Sequence, residues 1–289
     1  SGSTFSYTPT SAVVGATFAW WRSAVPGISN PATSGSNNPN EVLDNTTSAP
    51  VNVTYYYQTS ANGCLGGNNV IVTVYPPPAF SSSLSAGGFC SNSQQGYVVQ
   101  YSPSSATPGA TFAWTRSVIA GISNAAGSGS GDPNEVLTNT TAATVNVPYV
   151  YSVSANGCTN PTTYSVVVTV NPTPRLSSTL TPPTICSATI FNYTPTSATA
   201  GSVFAWTRGS LGGLAELQAS GTNDPNETLT NVTTFPLYVT YTYQITANNC
   251  SYEQNVVVGV NPTPVLTSSL SPPAICSGAA FSYTPTSGT

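Results

Sequence analysis

The sequence predicts an all-β protein made of tandem antiparallel β-sandwich domains that follow one another in a linear array. Three observations support this fold class: long motifs recur at nearly constant spacing, apolar residues alternate along several segments, and no segment has a helical hydrophobic period of useful length. Alternation with a period of two is typical of half-buried strands, so each repeat is expected to fold from strands and turns.

The repeat is clearest in the segments FAWWRS, FAWTRS and FAWTRG, whose tryptophans are Trp20, Trp114 and Trp206. The first two tryptophans are 94 residues apart and the last two are 92 residues apart. The segments NPNEVLDNTT, DPNEVLTNTT and DPNETLTNVT recur at the same period. Since repeats of this length are large enough for a small domain, the period predicts one domain per repeat.

The period divides the chain into four parts. Residues 79–170 and 175–260 are complete repeats, residues 1–75 form a repeat that lacks its first strand, and residues 265–289 begin a fourth repeat. The opening SGSTFSYTPTS returns at the end as SGAAFSYTPTSGT, so we expect the chain to be an excerpt of a longer array. The proline-rich segments YPPPAF, NPTPRL and NPTPVL predict short, stiff connections between repeats.

Strands within a repeat follow from the alternation of side chains. In the second repeat the apolar series Val145, Val147, Tyr149, Tyr151 and Val153 has a period of two. The turn-rich segments SANGC and TANNC come after this strand in the second and third repeats and predict a hairpin. Seven or so short strands in about 92 residues are typical of an immunoglobulin-like sandwich.

The composition excludes several classes of function. Eight acidic residues against four basic ones give a net charge of −4, so the chain lacks the basic patch that binds nucleic acid. No apolar stretch is long enough to cross a bilayer, and no membrane insertion is expected. The sequence contains no His, no Lys and no G-x-S-x-G motif, so it lacks the usual general base, Schiff-base lysine and nucleophile elbow. We therefore expect a protein that is not an enzyme and has no cofactor.

Five consecutive motifs resemble a known family. In order they are C-S-G-x-x-F-S-Y-T-P-T-S, G-A-T-F-A-W-T-R, PNE-x-L-T-N-T-T, V-T-Y-x-Y-x-x-x-A-N-G-C and V-x-V-N-P-T-P. Together they resemble the PKD-like, immunoglobulin-like repeats of large surface proteins in Bacteroidetes-type bacteria. The resemblance covers nearly the whole chain. It implies a secreted adhesin, filament or enzyme-attached spacer, often exported by the type IX system, and it implies no particular ligand.

Each repeat places an arginine and a glutamate 19 residues apart. The arginine ends the tryptophan strand on the same face as the tryptophan, and a charge that faces a core requires a partner. We therefore predict one structural ion pair per repeat at the sandwich edge, in preference to a recognition arginine. The three pairs are Arg22 with Glu41, Arg116 with Glu135, and Arg208 with Glu227.

The acidic loop GDPNE at Gly131 leaves calcium open as a ligand, because Ca²⁺ takes oxygen ligands from Asp, Asn and Glu. Two carboxylates per loop are few, however, and Asn38 replaces the aspartate in the first repeat. An Asp-Pro turn is therefore the stronger interpretation. The lack of His and of any CxxC pair argues against a zinc site.

Four tryptophans divide into two kinds. The central-strand tryptophans are expected in the core, as in other sandwiches of this type: Trp20, Trp114 and Trp206. Trp21 differs, because its counterparts in the other repeats are threonines and alternation points it outward, so it is a possible contact residue. The N-x-T sequons indicate only polar stretches; they begin at Asn45, Asn52, Asn139, Asn192, Asn226 and Asn231.

The six cysteines fall into two classes, and their wide spacing favours disulfides formed outside the cell. One class precedes the second strand of a repeat: Cys90, Cys186 and Cys276. The other class lies in the hairpin before the last strand: Cys64, Cys158 and Cys250.

Two cysteine pairings remain open. Pairing within a repeat joins Cys90 to Cys158 and Cys186 to Cys250. The two classes are expected at opposite ends of a sandwich, however, roughly 30 Å apart, whereas a disulfide requires Cα atoms within about 7 Å. Geometry thus favours a staple between consecutive repeats, Cys90 to Cys250, with the other four cysteines bonded to repeats beyond this chain.

The sequence therefore predicts a non-catalytic structural protein of the extracellular space or cell surface. Neighbouring copies would form a rod or filament that serves adhesion. Two alternatives remain: a module that binds surface glycans or proteins through its loops, and a passive spacer in a multidomain secreted enzyme.

Overall fold

The computed structural model describes residues 2–91 and 98–288, and within them every regular element is a β-strand. We call residues 2–75 the first unit, residues 79–91 and 98–171 the second unit, residues 175–261 the third unit and residues 265–288 the terminal fragment. Three separate clusters of buried apolar side chains lie in the first, second and third units. Among the described residues no helix is long and apolar enough to span a membrane.

The first unit packs a four-stranded sheet against a two-stranded one. Its strands are β1 Thr4–Phe5, β2 Thr17–Arg22, β3 Thr33–Ser36, β4 Glu41–Val42, β5 Val51–Ala61 and β6 Cys64–Val74. The larger sheet has the order β3-β2-β5-β6, and β1 pairs with β4. All of these pairs are antiparallel.

The second unit has the same central strands and adds a strand at the edge of its sheet. Its strands are β7 Ser85–Cys90, β8 Thr111–Arg116, β9 Gly127–Ser130, β10 Val145–Ala155, β11 Cys158–Thr159 and β12 Tyr164–Asn171. The order is β7-β12-β10-β8-β9, with β11 paired to β10. The added strand β7 runs parallel to β12, whereas the other pairs are antiparallel.

The third unit repeats this arrangement with seven strands. They are β13 Ile185–Cys186, β14 Thr189–Phe191, β15 Val203–Arg208, β16 Ala219–Thr222, β17 Glu227–Leu229, β18 Leu237–Ala247 and β19 Cys250–Asn261. The main sheet has the order β13-β19-β18-β15-β16, and β14 pairs with β17 in a second sheet. As in the second unit, the edge strand β13 is parallel to its neighbour β19. The immunoglobulin-like sandwich predicted from the alternation is the observed fold.

Alternation along the long strands builds each core. In β10 the side chains of Val147, Tyr149 and Tyr151 are fully buried, and Trp114 of β8 lies against Tyr149 with ring centroids 5.3 Å apart. Gly129 of β9 lies beside the indole, where an added Cβ would come within 2.8 Å of Trp114 Cζ2. Glycine therefore occupies this position of β9 because the tryptophan ring fills the space that a side chain would need.

Two-residue turns close the long hairpins of all three units. Asn62 and Gly63 join β5 to β6 with φ of 50° and 80°, and Asn248 and Asn249 join β18 to β19 with φ of 51° and 61°. Two successive positive φ values characterise the type I′ turn, which matches the twist of the flanking strands and favours Asn and Gly. The hairpin predicted from SANGC and TANNC therefore has a local cause in its turn residues.

Candidate functional site

The ion pair of the second unit lies at the end of β8. Arg116 donates from Nε to Glu135 Oε2 at 2.9 Å and from Nη2 to Oε1 at 3.0 Å, a bidentate geometry. Nη2 also donates to the backbone carbonyl of Ala125 at 2.6 Å, and Nη1 donates to that of Ser117 at 3.3 Å. The arginine side chain is 1% exposed, so its charge is satisfied inside the protein.

The same contacts recur in the other units. Arg22 and Glu41 are joined at 2.9 Å, and Arg208 and Glu227 at 3.0 Å, each with two arginine nitrogens on the carboxylate. A charge that is out of water and left without a partner costs several kcal/mol, so both members of each pair are needed together. The structure thus places all six ion-pair residues named from the sequence in three equivalent bidentate pairs.

A tyrosine hydroxyl completes each network. Tyr149 of β10 donates to Glu135 Oε2 at 2.6 Å, and Tyr241 of β18 donates to Glu227 Oε2 at 2.7 Å. Strand alternation indicates a buried tyrosine at this position but not its hydrogen bond to the glutamate. The signal is present, however, because the tyrosine follows the glutamate by 14 residues in every unit.

Burial and hydrogen bonding act in opposite directions on the glutamate. Burial alone would raise the pKa of the Glu135 carboxyl, but hydrogen bonds from Arg116 and Tyr149 and the arginine charge hold that pKa below its usual value of 4.5. The pKa values of Glu41 and Glu227 are lowered for the same reasons. Burial and the hydrogen bond to Glu135 raise the pKa of Tyr149 above its usual range. The three carboxylates are therefore ionised near neutral pH and engaged by internal donors.

A buried asparagine forms a second repeated network that the sequence analysis missed. Asn139 donates from Nδ2 to the backbone carbonyls of Ala143 at 2.8 Å and Val170 at 2.9 Å, and its Oδ1 accepts from Thr141. Asn231 makes the corresponding bonds in the third unit and Asn45 in the first. The N-x-T segments that begin at these asparagines are therefore structural, and the asparagine side chains are buried. The available signal is an asparagine four residues after each glutamate.

The acidic loop is organised by hydrogen bonds to its own backbone. Asp132 Oδ1 accepts from the backbone N–H of Tyr101 at 3.0 Å and of Asn134 at 3.2 Å. Asn38 accepts the equivalent pair of bonds in the first unit, so one side-chain oxygen is sufficient there and a carboxylate is not required. No cluster of three or more metal-ligating side chains occurs within residues 2–91 and 98–288. The loop geometry agrees with the Asx-type turn, in which two backbone N–H groups engage Asp132.

The four tryptophans lie where alternation placed them. Trp20, Trp114 and Trp206 are each 5% exposed and belong to the cores. Trp21 is 42% exposed on the outer face of the sheet, opposite Tyr56 of β5 in the register. The two rings pack with centroids 4.2 Å apart, which makes a paired aromatic surface on the first unit.

The disulfide joins the second unit to the third. Cys90 at the end of β7 is bonded to Cys250 at the start of β19, with Cα atoms 5.6 Å apart. The alternative pairing within a repeat, which required Cys90 with Cys158, is not the one formed. Asn171 Nδ2 donates to the backbone carbonyl of Asn248 at 3.2 Å, so the hairpin turn of the third unit contacts the end of the second unit's last strand.

The remaining cysteines differ in exposure. Cys64, Cys186 and Cys276 are exposed thiols, and Cys158 is partly buried. Asn156 and Cys158, in the hairpin of the second unit, line one cavity together with Ser3 to Phe5 and Val72 to Tyr75 of the first unit. The hairpin of the second unit thus lies against the first unit, as the hairpin of the third lies against the second. Bonding of these four cysteines to further repeats stays a prediction.

Comparison with protein families gives one match. The model of the PKD-like domain matches residues 1–78 and 89–174, which is more than half of the chain. A search of curated proteins finds none that matches.

Several solved structures are similar to the chain at low identity. An endo-fucoidan hydrolase of glycoside hydrolase family 107 is 14% identical over 90% of this chain, with a TM-score of 0.25. The chain spans 39% of the length of that hydrolase. Drosophila N-cadherin EC1-4 is 10% identical over 90% of this chain and 70% of its own, with a TM-score of 0.26. Drosophila OTK extracellular domains 3-5 are 11% identical over 91% of this chain and 92% of their own, with a TM-score of 0.30.

Proposed function

The chain belongs to the PKD-like domain family, and on that premise we propose that it is a non-catalytic structural segment of an extracellular rod or filament. Its repeats would extend an adhesive surface away from the cell. The observation that carries this proposal is the Cys90–Cys250 disulfide, which connects two consecutive units instead of two parts of one unit. A bond in that position restrains the angle between neighbours, and a restrained angle is what a stiff spacer requires.

Contacts on both sides of the disulfide support this role. The hydrogen bond from Asn171 to Asn248 connects the last strand of the second unit to the hairpin of the third. Next to it, Thr141 to Thr144 of the second unit and Ala198 and Ala200 of the third line a common cavity with Asn248. Units joined through a covalent bond and by adjacent surface contacts are less free to rotate than units joined through a linker alone.

The placement outside the cell is supported by the disulfide and by the uncharged surface. Structural disulfides persist in oxidising compartments and are rare in reducing ones. Charged residues make up 4% of the chain, and six of its twelve charges lie in the three internal ion pairs. Few exposed arginines and no lysines leave few sites for trypsin-like proteases, which suits a protein that must last outside the cell.

Small-angle X-ray scattering of the oxidised protein tests the rod. Three units in line, each roughly 30 Å long, would extend on the order of 100 Å and give a radius of gyration of about 29 Å. A compact globule of this chain length would have a radius of gyration of about 19 Å. The larger value is expected. A value near the smaller one would contradict the rod, whatever the state of the terminal thiols.

A second candidate function, glycan binding, is favoured by the aromatic pair Trp21 and Tyr56. Both rings are exposed, and no counterpart exists in the other units, where the paired positions are Thr115 with Val150 and Thr207 with Thr242. Exposed rings offer flat apolar faces, and Ser34 and Asn69 extend the same row of the sheet on either side with neutral hydrogen-bonding groups.

Trp21→Thr tests this candidate, because it installs the residue that the other units carry at this position. If the first unit binds a neutral polysaccharide, an insoluble neutral glycan should retain about tenfold less of the variant than of the unaltered chain. The matched control, Thr115→Ala on the same strand face of the second unit, should leave retention unchanged. Equal retention by Trp21→Thr and the unaltered chain would contradict glycan binding through this pair.

A further inference from the structure

The four arginines of the chain differ in their access to solvent, and all four lie within the described residues. Three of them end core strands, and their side chains are at most 1% exposed inside the ion pairs: Arg22, Arg116 and Arg208. Arg175 is exposed and lies in the connection between the second and third units. Since the sequence contains no lysine, Arg175 is the basic side chain that a protease specific for arginine or lysine reaches without unfolding a unit.

The buried arginines are protected by their contacts. Arg116 is held by two hydrogen bonds to Glu135 and one to the carbonyl of Ala125, and Arg22 and Arg208 make the same set of bonds in their units. A protease that cleaves after arginine binds that side chain in its own pocket, so the arginine must first leave its carboxylate. Cleavage at these three residues therefore requires opening the core of a unit, which costs much of that unit's stability.

The backbone around Arg175 lies outside the sheets. Residues 172–184 contain no strand residue and connect β12 to β13. The amide N–H of Leu176 donates to the side-chain Oε1 of Gln254 at 2.7 Å, and not to a neighbouring strand. A protease binds its substrate as an extended segment, so the connection must open locally before it is cut. Opening a surface connection costs less than opening a strand, and exposed connections are preferred sites of proteolytic cleavage.

A cation–π contact holds the Arg175 side chain. Its guanidinium carbon lies 4.1 Å from the centroid of the Tyr252 ring. Such contacts are weak at exposed sites, so the guanidinium can leave the ring for the pocket of a protease. In the aligned segments YPPPAF and NPTPVL of the other two connections, Ala79 and Val265 occupy the position of Arg175. The arginine is therefore specific to the connection between the second and third units.

The disulfide spans this connection. Cys90 precedes Arg175 and Cys250 follows it, each in a different unit. Hydrolysis after Arg175 would divide the chain into residues 1–175 and 176–289, which the disulfide would still join. Each part keeps its own buried clusters, because the second and third units have separate cores. The connection and the disulfide are thus two covalent links across one junction.

We propose that the bond between Arg175 and Leu176 is a processing site for an extracellular protease that cleaves after arginine. Hydrolysis adds one water across the peptide bond and leaves a carboxylate on Arg175 and an ammonium group on Leu176. The disulfide between Cys90 and Cys250 then holds the product as a two-chain protein. The extracellular protease rests on the proposed location outside the cell, whereas the site itself rests on the exposure of Arg175 and does not depend on the rod.

Separation of the two chains requires a second reaction. A small-molecule dithiol breaks the S–S bond by thiol–disulfide exchange, so that Cys90 and Cys250 become thiols and the dithiol is oxidised to a disulfide. The remaining contacts, such as the hydrogen bond from Asn171 to Asn248, resemble those of a transient interface and do not hold the units together at low concentration. Cleavage alone or reduction alone leaves the units joined, and both together release them.

Trypsin digestion of the oxidised full chain under native conditions tests the proposal. Electrophoresis with reductant should show two fragments, and mass spectrometry should find that one ends at Arg175 and the other begins at Leu176. Electrophoresis without reductant should show one band at the position of the uncut chain. Arg175→Gln should remain intact in the same digestion. Arg175→Lys, the matched control, should be cut by trypsin but should resist an arginine-specific endopeptidase.

Cys90→Ser tests the role of the disulfide. After trypsin cleavage, this variant should give two fragments without reductant, and size-exclusion chromatography should separate them. The cut unaltered chain should elute as one species until dithiothreitol is added. An unaltered chain that stays uncut, cleavage after Arg116 at a rate similar to that after Arg175, or cut chains that separate without reductant would each overturn the proposal. Scattering from the uncut chain tests the rod separately, so the two failures are distinguishable.

Discussion

The Tyr149 hydroxyl lies 2.6 Å from Oε2 of Glu135 and donates a hydrogen bond to it. This carboxylate also accepts two hydrogen bonds from Arg116, so three hydrogen bonds converge on one partly buried acidic group. Because the tyrosine comes from the central strand β10 and the arginine from β8, the network connects neighbouring strands of the core sheet to the loop that carries the glutamate.

Removal of one member of the Arg116–Glu135 pair should lower the stability of the second unit. Arg116→Ala leaves the Glu135 charge without its partner and should destabilise the second unit by about 2 to 5 kcal/mol. Arg116→Ala combined with Glu135→Ala should recover part of that loss, because the partly buried carboxylate is then no longer left without its arginine. Urea unfolding followed by pulsed hydrogen exchange separates the second unit from its neighbours. A double variant whose loss equals the sum of the two single losses would contradict the pairing.

The ion pairs should also make stability depend on acid pH. The pKa of Glu135 is lower in the folded protein than its usual value of 4.5, so the ionised pair stabilises the fold above that value. The stabilisation should be lost as the pH falls through the folded pKa, since the protonated carboxyl no longer pairs with arginine. Glu135→Gln removes this titration and should flatten the pH dependence of the second unit below pH 4.5, measured by urea midpoints. An unchanged slope in that variant would contradict this assignment.

Gly129 should not tolerate a side chain. A methyl group there would come within 2.8 Å of the Trp114 ring, which is held in the core and cannot move aside freely. Gly129→Ala should therefore cost about 1 to 3 kcal/mol, as expected for overpacking. The adjacent Ser128→Ala, on the outer face of β9, serves as the control and should change stability by less than about 0.5 kcal/mol. Equal thermal and urea midpoints for the two variants would contradict the close packing of ring and strand.

Asn139 should contribute to the stability of the second unit, although it lies in a polar stretch of the sequence. Asn139→Ala removes the side-chain donor to the buried carbonyl of Val170, whereas the carbonyl of Ala143 keeps the Thr141 hydroxyl, and an unpaired buried group costs about 1 to 3 kcal/mol. Asn146→Ala removes an exposed asparagine from the outer face of β10 and should be nearly neutral. Hydrogen exchange of the second unit in both variants measures the difference. Equal protection in the two would contradict a structural role for Asn139.

Some of these features could be predicted from the sequence and others could not. The pairing of Arg116 with Glu135 was predictable, because a charge on a core-facing strand position needs a partner and both residues recur at fixed spacing. The partners of Asn139 were not, since they are backbone carbonyls whose direction depends on how the loop packs against the sheet.

Strand direction is a second case of this kind. Ile185 and Cys186 form the edge strand β13, whose parallel pairing with β19 follows from the chain path after the linker and has no local signal in the sequence. The staple from Cys90 to Cys250 was predictable only as the geometrically favoured of two alternatives, because cysteine spacing alone does not determine connectivity.

The measurement that tests the account most directly is a peptide map of the oxidised protein without reduction. Chymotryptic digestion suits a chain that has only four arginines and no lysine. The account predicts that the peptide containing Cys90 is linked to the peptide containing Cys250. A Cys90 peptide linked to the Cys158 peptide, or Cys90 recovered as a free thiol, would contradict the covalent junction between consecutive units.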